Sequence, residues 1–353
     1  MNDFNIISPE LALSEAQKLA IQATIDGKAK PLGSLGRLEA LAYQLACIQT
    51  AHQKTADKLV FERAAVLVFA GDHGIAEHGI SIVPSEITAK MVQNFVAGGA
   101  AINALCQVQK IPLTIINAGI KHSLHASYIN QVENLSAGSG TQDFSEHAAM
   151  SLQTAFWSIQ QGAEITRLKI ANGKDIFVFG EMGIGNTASA SALTSVLCDS
   201  PLEKLVGRGT GISDAQLAVK LALVKKGVER AKKQVNNDDP VAWLAQLGGF
   251  EIAQMCGGMM AAAQAGKVVL VDGFICSVAA LLACRIEPAC LQYMVFSHQS
   301  EEPGQQAIFK SLNVRPLFDL NLRLGEGTGA VLAVPFIQSA AAFYNKMANL
   351  VDL

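Results

Sequence analysis

The chain reads as an α/β protein: a Rossmann-like parallel sheet flanked by helices, with a small helical domain formed from both termini. Three observations predict it. Half of the 353 residues are hydrophobic, enough to bury a large core. Apolar runs at 64–70, 113–117, 176–179 and 268–271 end in glycine or small polar residues and lead into helical patterns, the rhythm of parallel strands covered on both faces. Both ends of the chain read as helix.

Taken in order, residues 9–60 look helical and open on Ser8-Pro9-Glu10, a cap followed by proline in the first turn. The four strand runs follow, and the loops at their carboxyl ends are Gly71-Asp72-His73-Gly74, Asn117-Ala118-Gly119, Gly180 to Thr187, and Asp272-Gly273. Ligands of parallel sheets lie beyond that end, so these loops are expected to converge on one cleft. Pro335 opens an alanine-rich run, 336–350, that contains no glycine or further proline and reads as one helix. The division is 1–60 plus 336–353 as the small helical domain and 61–335 as the large α/β nucleotide-binding domain.

A net charge of −3 and a pI near 6.2 argue against a nucleic-acid partner, which calls for a basic face. The one basic cluster, Lys225, Lys226, Arg230, Lys232 and Lys233, reads as a solvated helix face. Seven cysteines without paired spacing read as reduced core residues of a cytoplasmic protein. Met1-Asn2-Asp3-Phe4 has no signal-peptide character, and the apolar stretch 268–284 is interrupted by Asp272-Gly273, so neither export nor a membrane partner is expected.

The most informative stretch is Gly180-Glu181-Met182-Gly183-Ile184-Gly185-Asn186-Thr187, which joins a strand run to a helix run. Its glycines let the backbone approach a ligand, and the unpaired amides of the following helix favour an anion. Glu181 is out of place at such a site unless something cationic or proton-bearing also binds. Gly183 to Ala188 also matches the dinucleotide fingerprint, so a nicotinamide-dinucleotide oxidoreductase stands as the alternative; no acid-terminated strand follows about 20 positions on. Gly207-Arg208-Gly209-Thr210-Gly211 is a second glycine-rich loop, with Lys220 about two turns into the next helix. It serves either the same phosphate or a flexible turn with an exposed lysine.

Leu324-Gly325-Glu326-Gly327-Thr328-Gly329 encloses a lone carboxylate between glycines, before an apolar run that would raise its pKa. Glu326 is either a general base or a helix-terminal glutamate facing the dipole. Asp72 and His73 are adjacent on a loop and lack a matching ligand cluster, so metal is not expected and scaffolding of the cleft is. Ser297-His298 with Glu301 lacks the nucleophile elbow that a hydrolase needs.

Together with Lys30-Pro31-Leu32-Gly33-Ser34-Leu35-Gly36-Arg37-Leu38-Glu39 and Ala70-Gly71-Asp72-His73-Gly74, these motifs occur in one order over about residues 10–340. The chain resembles the nicotinate-nucleotide:dimethylbenzimidazole phosphoribosyltransferase family. The resemblance implies transfer of phosphoribose from nicotinate mononucleotide to a benzimidazole base, without cofactor or metal, by a homodimer. It implies that Gly183, Gly185, Asn186, Thr187, Gly209, Thr210, Gly211 and Lys220 hold phosphate and ribose. Glu181 would face the ribose, Glu326 would take the azole proton, and Ser85, Glu86, Met182 and Leu324 would line the benzimidazole pocket.

Overall fold

The structure, a computed structural model, describes residues 11–53, 55, 57–209, 211–236 and 239–353. Its centre is a six-stranded sheet of β1 (Ala64–Gly71), β2 (Leu113–Gly119), β3 (Glu133–Asn134), β4 (Ile176–Met182), β5 (Val268–Val271) and β6 (Met294–Phe296). The strand order is β3-β2-β1-β4-β5-β6 and every pairing is parallel. This is the doubly wound order, whose direction reverses between β1 and β4 and opens a crevice at their carboxyl ends. β1 is buried along its length and β4 nearly so, which explains their unbroken apolar runs. A short parallel pair, β7 (His298–Ser300) and β8 (Phe318–Leu322), lies beyond β6 in the chain.

Two differences from the sequence reading bear on function. β4 continues past Phe179 through Gly180, Glu181 and Met182, with Glu181 registered opposite Phe69, so Glu181 stands on a strand rather than on a loop. Gly180 permits this because a Cβ there would run into the backbone carbonyl of Glu326. Pro335 does not open the last helix; it sits inside Thr328–Lys346. A proline there cannot donate to the carbonyl four residues back, that of Val331, and Gln109 Nε2 bonds this carbonyl at 2.9 Å instead.

The Ser8-Pro9-Glu10 cap lies outside the described residues. The first described helix is Glu15–Asp26, closed by a capping box in which Ser14 and Gln17 exchange bonds. It packs on Arg37–Gln53, which in turn packs on Thr328–Lys346. A bridge between Lys28 and Asn349 and a bond from Leu59 N–H to Asn345 Oδ1 at 2.8 Å tie the two ends together. Ile21, Ile25, Leu45 and Ile48 join the same apolar core as the sheet. Of the seven cysteines six are buried, and all are free thiols. In the basic cluster, Arg230 is not merely solvated: it binds Gln246 and the Phe144 carbonyl. No helix among the described residues is long and apolar enough to cross a membrane.

The helices Leu152–Ala171 and Phe250–Gln264 cross backbone to backbone. Gly162 faces the Gln254 carbonyl and Gly257 faces the Ile159 carbonyl, and a Cβ at either position would overlap the opposing backbone. Alanine in a helix gains about 1 kcal/mol over glycine, but forcing two packed backbones apart costs about 1–3 kcal/mol or more. Gly162→Ala is therefore expected to lower the urea midpoint of unfolding; a raised midpoint would refute this account of the crossing.

Candidate active site

A cavity of about 630 Å³ opens at the carboxyl ends of β4 and β5. It is built from five pieces of chain: 80–83 after β1, 181–187 after β4, 208–209 with Lys220, 273–276 after β5, and the segment from His298 to Gly325. Among the described residues, Glu181, Met182, Gly183, Gly185, Asn186, Thr187, Gly209, Lys220 and Leu324 all line it. Thr210 lies outside the described residues.

The anion side is set by the helix Asn186–Leu197. Gly185 at its N-cap has φ +97°, a left-handed conformation open to glycine, and turns the chain from strand to helix. Thr187 in the first turn accepts a bond at 2.9 Å from Lys220 Nζ, which also donates to the Gly207 carbonyl at 2.9 Å. Lys220 is 1% exposed, so it is not the exposed lysine of the alternative reading. Burial lowers its pKa to about 8, against the pull of Glu302. An ammonium has three donors and two are engaged, which leaves one for a ligand beside the helix N-terminus.

One residue before Thr187, Asn186 Nδ2 bonds Glu181 Oε2. Glu181 is buried in the cavity wall, and its pKa is raised to about 8 by that burial and by the neighbouring carboxylates Glu251, Asp272 and Glu326. A single helix start thus orients a cationic group and a carboxyl group through adjacent side chains.

Glu326 occupies a left-handed turn, φ +63°, between Gly325 at +85° and Gly327 at +86°. A non-glycine residue in that region carries strain of order 1–3 kcal/mol, a device found at functional sites. The turn is held by Asp272, whose carboxylate accepts from Gly327 N–H at 3.1 Å and Ala330 N–H at 2.9 Å. Glu326 is 4% exposed, and its Oε2 has no partner. Burial raises its pKa, the Ile102 amide opposes the shift, and Asp272 adds to it. The cavity lining runs through Leu324 and Gly325 and stops one residue short of Glu326.

Ser85 and Glu86 are not in the wall; the residues there are Ile80, Ser81, Ile82 and Val83. Pro84 turns the chain, Ser85 becomes the N-cap of Glu86–Ala97, and the Glu86 carboxylate faces outward, 3.9 Å from His122. Gly211 is likewise absent from the lining, at the far end of its loop, where a Cβ would meet open space.

A phosphoribosyltransferase family model matches residues 12–352. The chain belongs to this phosphoribosyltransferase family. It is 48% identical over 330 residues to the nicotinate-nucleotide–dimethylbenzimidazole phosphoribosyltransferase of Vibrio atlanticus, covering 93% of this chain and 95% of that one. The protein of the same name from Photobacterium profundum is 46% identical over 351 residues, 99% of this chain and 98% of that one. Among solved structures, CobT from Thermus thermophilus superposes with a TM-score of 0.87 at 34% identity, over 95% of this chain and 97% of that one.

The oxidoreductase alternative finds no support. The acid that ends the strand beside β4 is Asp272, and its oxygens are committed to the helix at Gly327 and Ala330 rather than free for a ribose. Around its cavity this phosphoribosyltransferase also gathers residues that the sequence reading left aside. His298 lines the cavity with Nδ1 held 3.1 Å from Ser297 Oγ and 3.6 Å from Asp272 Oδ1. Ser297 is no nucleophile, since it is buried and donates to the Val271 carbonyl at 2.7 Å. Glu302 lines the cavity against Gly207 and accepts from the Gly209 amide, with its pKa raised by burial. The three lie in one short stretch, just before, on and after β7, where the sequence reading weighs only a hydrolase.

Two outcomes are expected. An anion stabilises the Lys220 ammonium, so inorganic phosphate should bind less tightly as pH rises through about 8. Titration calorimetry of Lys220→Met should show weaker binding without that pH step; a step of equal size in the variant would exclude Lys220 as its source. Glu181 ionises at about 8 in the fold against an ordinary 4.5, so the folded state holds more protons between those values and loses stability as pH rises across them. Glu181→Gln removes this term. The melting temperature of the variant relative to wild type should climb from pH 5 to pH 8, and a constant difference would contradict the assignment.

Proposed function

We propose that the chain transfers the 5-phosphoribosyl group of nicotinate mononucleotide to 5,6-dimethylbenzimidazole or a related base. The products are α-ribazole 5′-phosphate and nicotinate, for assembly of the nucleotide loop of cobalamin. The names of the relatives support the substrates. The observation that carries the chemistry is the pairing of Thr187 with Lys220 and of Asn186 with Glu181 at one helix start.

In this reading the 5′-phosphate sits at Gly185, Thr187, Gly209 and Lys220, with the ribose beside Glu181. The donor carries a positive ring nitrogen at C1′, and positive charge develops on the sugar as that bond breaks. Glu181 in its carboxylate form, with Asp272, Glu251 and Glu326 behind it, stabilises both, so donor binding draws the proton off Glu181. The base lies flat between Ile82 and Leu324, two exposed apolar side chains of the cavity wall.

One azole nitrogen attacks C1′ on the face opposite nicotinate, and the glycosidic electron pair leaves on the pyridine nitrogen, inverting β to α. The proton on the second azole nitrogen passes to Glu326, whose buried Oε2 lacks a partner and which follows the cavity-lining Gly325 in the chain. Side chains and backbone amides suffice for these steps. The helical layer from both termini acts as a small domain beside the catalytic one, and the working unit is a cytoplasmic homodimer.

Incubation with nicotinate mononucleotide and 5,6-dimethylbenzimidazole should release nicotinate and give an α-linked nucleotide by NMR. Absence of base-dependent nicotinate release would overturn the reading. Glu326→Gln is expected to lower kcat by about 10²–10⁴-fold, the usual contribution of a general base, with mononucleotide affinity nearly unchanged. Near wild-type turnover in that variant would move the base role to Glu181.

A further inference from the structure

The loop Gly71-Asp72-His73-Gly74 has no part in the chemistry above, yet Asp72 is 2% exposed and Thr88 fully buried. Asp72 Oδ1 accepts from Thr88 Oγ1 at 2.6 Å, and Asp72 Oδ2 accepts from the Lys121 amide at 2.8 Å. The Thr88 hydroxyl, its own proton committed to Asp72, accepts from the Ile184 amide at 3.2 Å. Ile184 lies between the two glycines of the mononucleotide loop, and Thr88 lies in the first turn of the helix that follows residues 80–83.

We propose that Asp72 and Thr88 are positioning residues that fix the base-binding segment 80–83 relative to the mononucleotide loop 183–187. The inference rests on the transfer reaction proposed above. A hydroxyl that both donates and accepts between two buried partners has a single proton arrangement, because a carboxylate can only accept and a backbone N–H can only donate. The three atoms therefore form a directional link across the crevice between β1 and β4. It joins the chain leaving one strand to the chain leaving the other, and it touches neither substrate. In-line attack needs the azole nitrogen and C1′ at about 3–3.5 Å, and an error near 1 Å costs about 100-fold in rate. Thr187 and the loop at Gly207 are also held by Lys220, which does not pass through the link. Its loss should leave donor binding in place and slow the chemical step.

The test compares wild type with Thr88→Val, which keeps the shape and removes the hydroxyl, Thr88→Ser, which restores it, and Asp72→Asn, which turns one of the two acceptor oxygens into a donor and so sets it against Thr88 Oγ1 or the Lys121 amide. Mononucleotide affinity is read by calorimetry, and kcat from nicotinate release at saturating base. Expected are a fall in kcat of about 10–100-fold in Thr88→Val and Asp72→Asn, mononucleotide Kd within about threefold, and recovery of most of kcat in Thr88→Ser. A folding defect would lower affinity and kcat together in Thr88→Val, and that result, like a kcat within about threefold of wild type, overturns the assignment. So does a Thr88→Ser variant as slow as Thr88→Val. If wild type itself transfers nothing to the base, the transfer reading fails first and carries this inference with it; wild-type transfer with an unaffected Thr88→Val sinks this inference alone.

Discussion

The site depends on the bond between the Asp272 carboxylate and the start of the helix Thr328–Lys346. The carboxylate at the end of β5 is buried and, left alone, would be costly there. The helix start has unpaired amides and the positive end of its dipole. Each supplies what the other lacks. The bonds to Gly327 and Ala330 fix the left-handed turn 325–327 on top of Gly180, where no side chain can intervene. Glu181 and Glu326 are thereby brought close enough to raise the proton affinity of Glu181. His298 is held against the same carboxylate on its other side and stacks on Phe318, which in turn stacks on Phe336 of the capped helix.

Such an arrangement concentrates acids in one buried place, and of them only Asp272 is repaid by bonds that hold the fold. Glu181, Asp272 and Glu326 are all shifted upward by burial before any neighbour is considered. Lys220 is shifted downward for the same reason. The protein does not neutralise one set with the other: Lys220 spends its bonds on a hydroxyl and a carbonyl, and Glu181 accepts from an amide side chain. Both groups therefore remain available to a ligand that is anionic at one end and cationic at the other, the charge pattern of a pyridinium mononucleotide, with Glu181 ionising as the cation arrives. Stability given up at such positions is the usual cost of preorganisation.

Much of this was legible in the sequence, and the reasons differ by residue. The strand runs were clear because β1 and β4 are covered on both faces and must be apolar throughout. Glu181 was conspicuous because a carboxylate beside a glycine-rich turn contradicts its surroundings. Lys220 was ambiguous, since helical spacing gives a direction only when the packing partner is known, and here the partner is a loop carbonyl at Gly207. Pro335 misled because its cost is offset by Gln109, a residue more than 200 positions away in sequence. Ser85 and Glu86 fall outside the cavity lining because the chain enters the helix Glu86–Ala97 there, with Ser85 as its N-cap, which the polarity of the segment does not reveal. Thr88 gave no signal at all: a threonine in a helix is ordinary, and its two partners lie 16 positions before it and 96 after it, the second beyond another strand.

The strand register explains why one cleft can hold two substrates at a fixed separation. β1 and β4 are neighbours paired Phe69 to Glu181 and Ala70 to Met182, and the direction of winding reverses between them. The chain leaving β1 runs to the segment 80–83, and the chain leaving β4 runs to the helix at Asn186. On the proposed reaction these two adjacent crossovers serve the base and the mononucleotide respectively. Side chains alternate between sheet faces, so a slip of one residue in this register would carry Glu181 to the opposite face of the sheet, away from Asn186 and Gly325. The backbone ladder thus sets the coarse distance between the two segments, and the Thr88 hydroxyl, bonded from both, removes the freedom that remains at their tips.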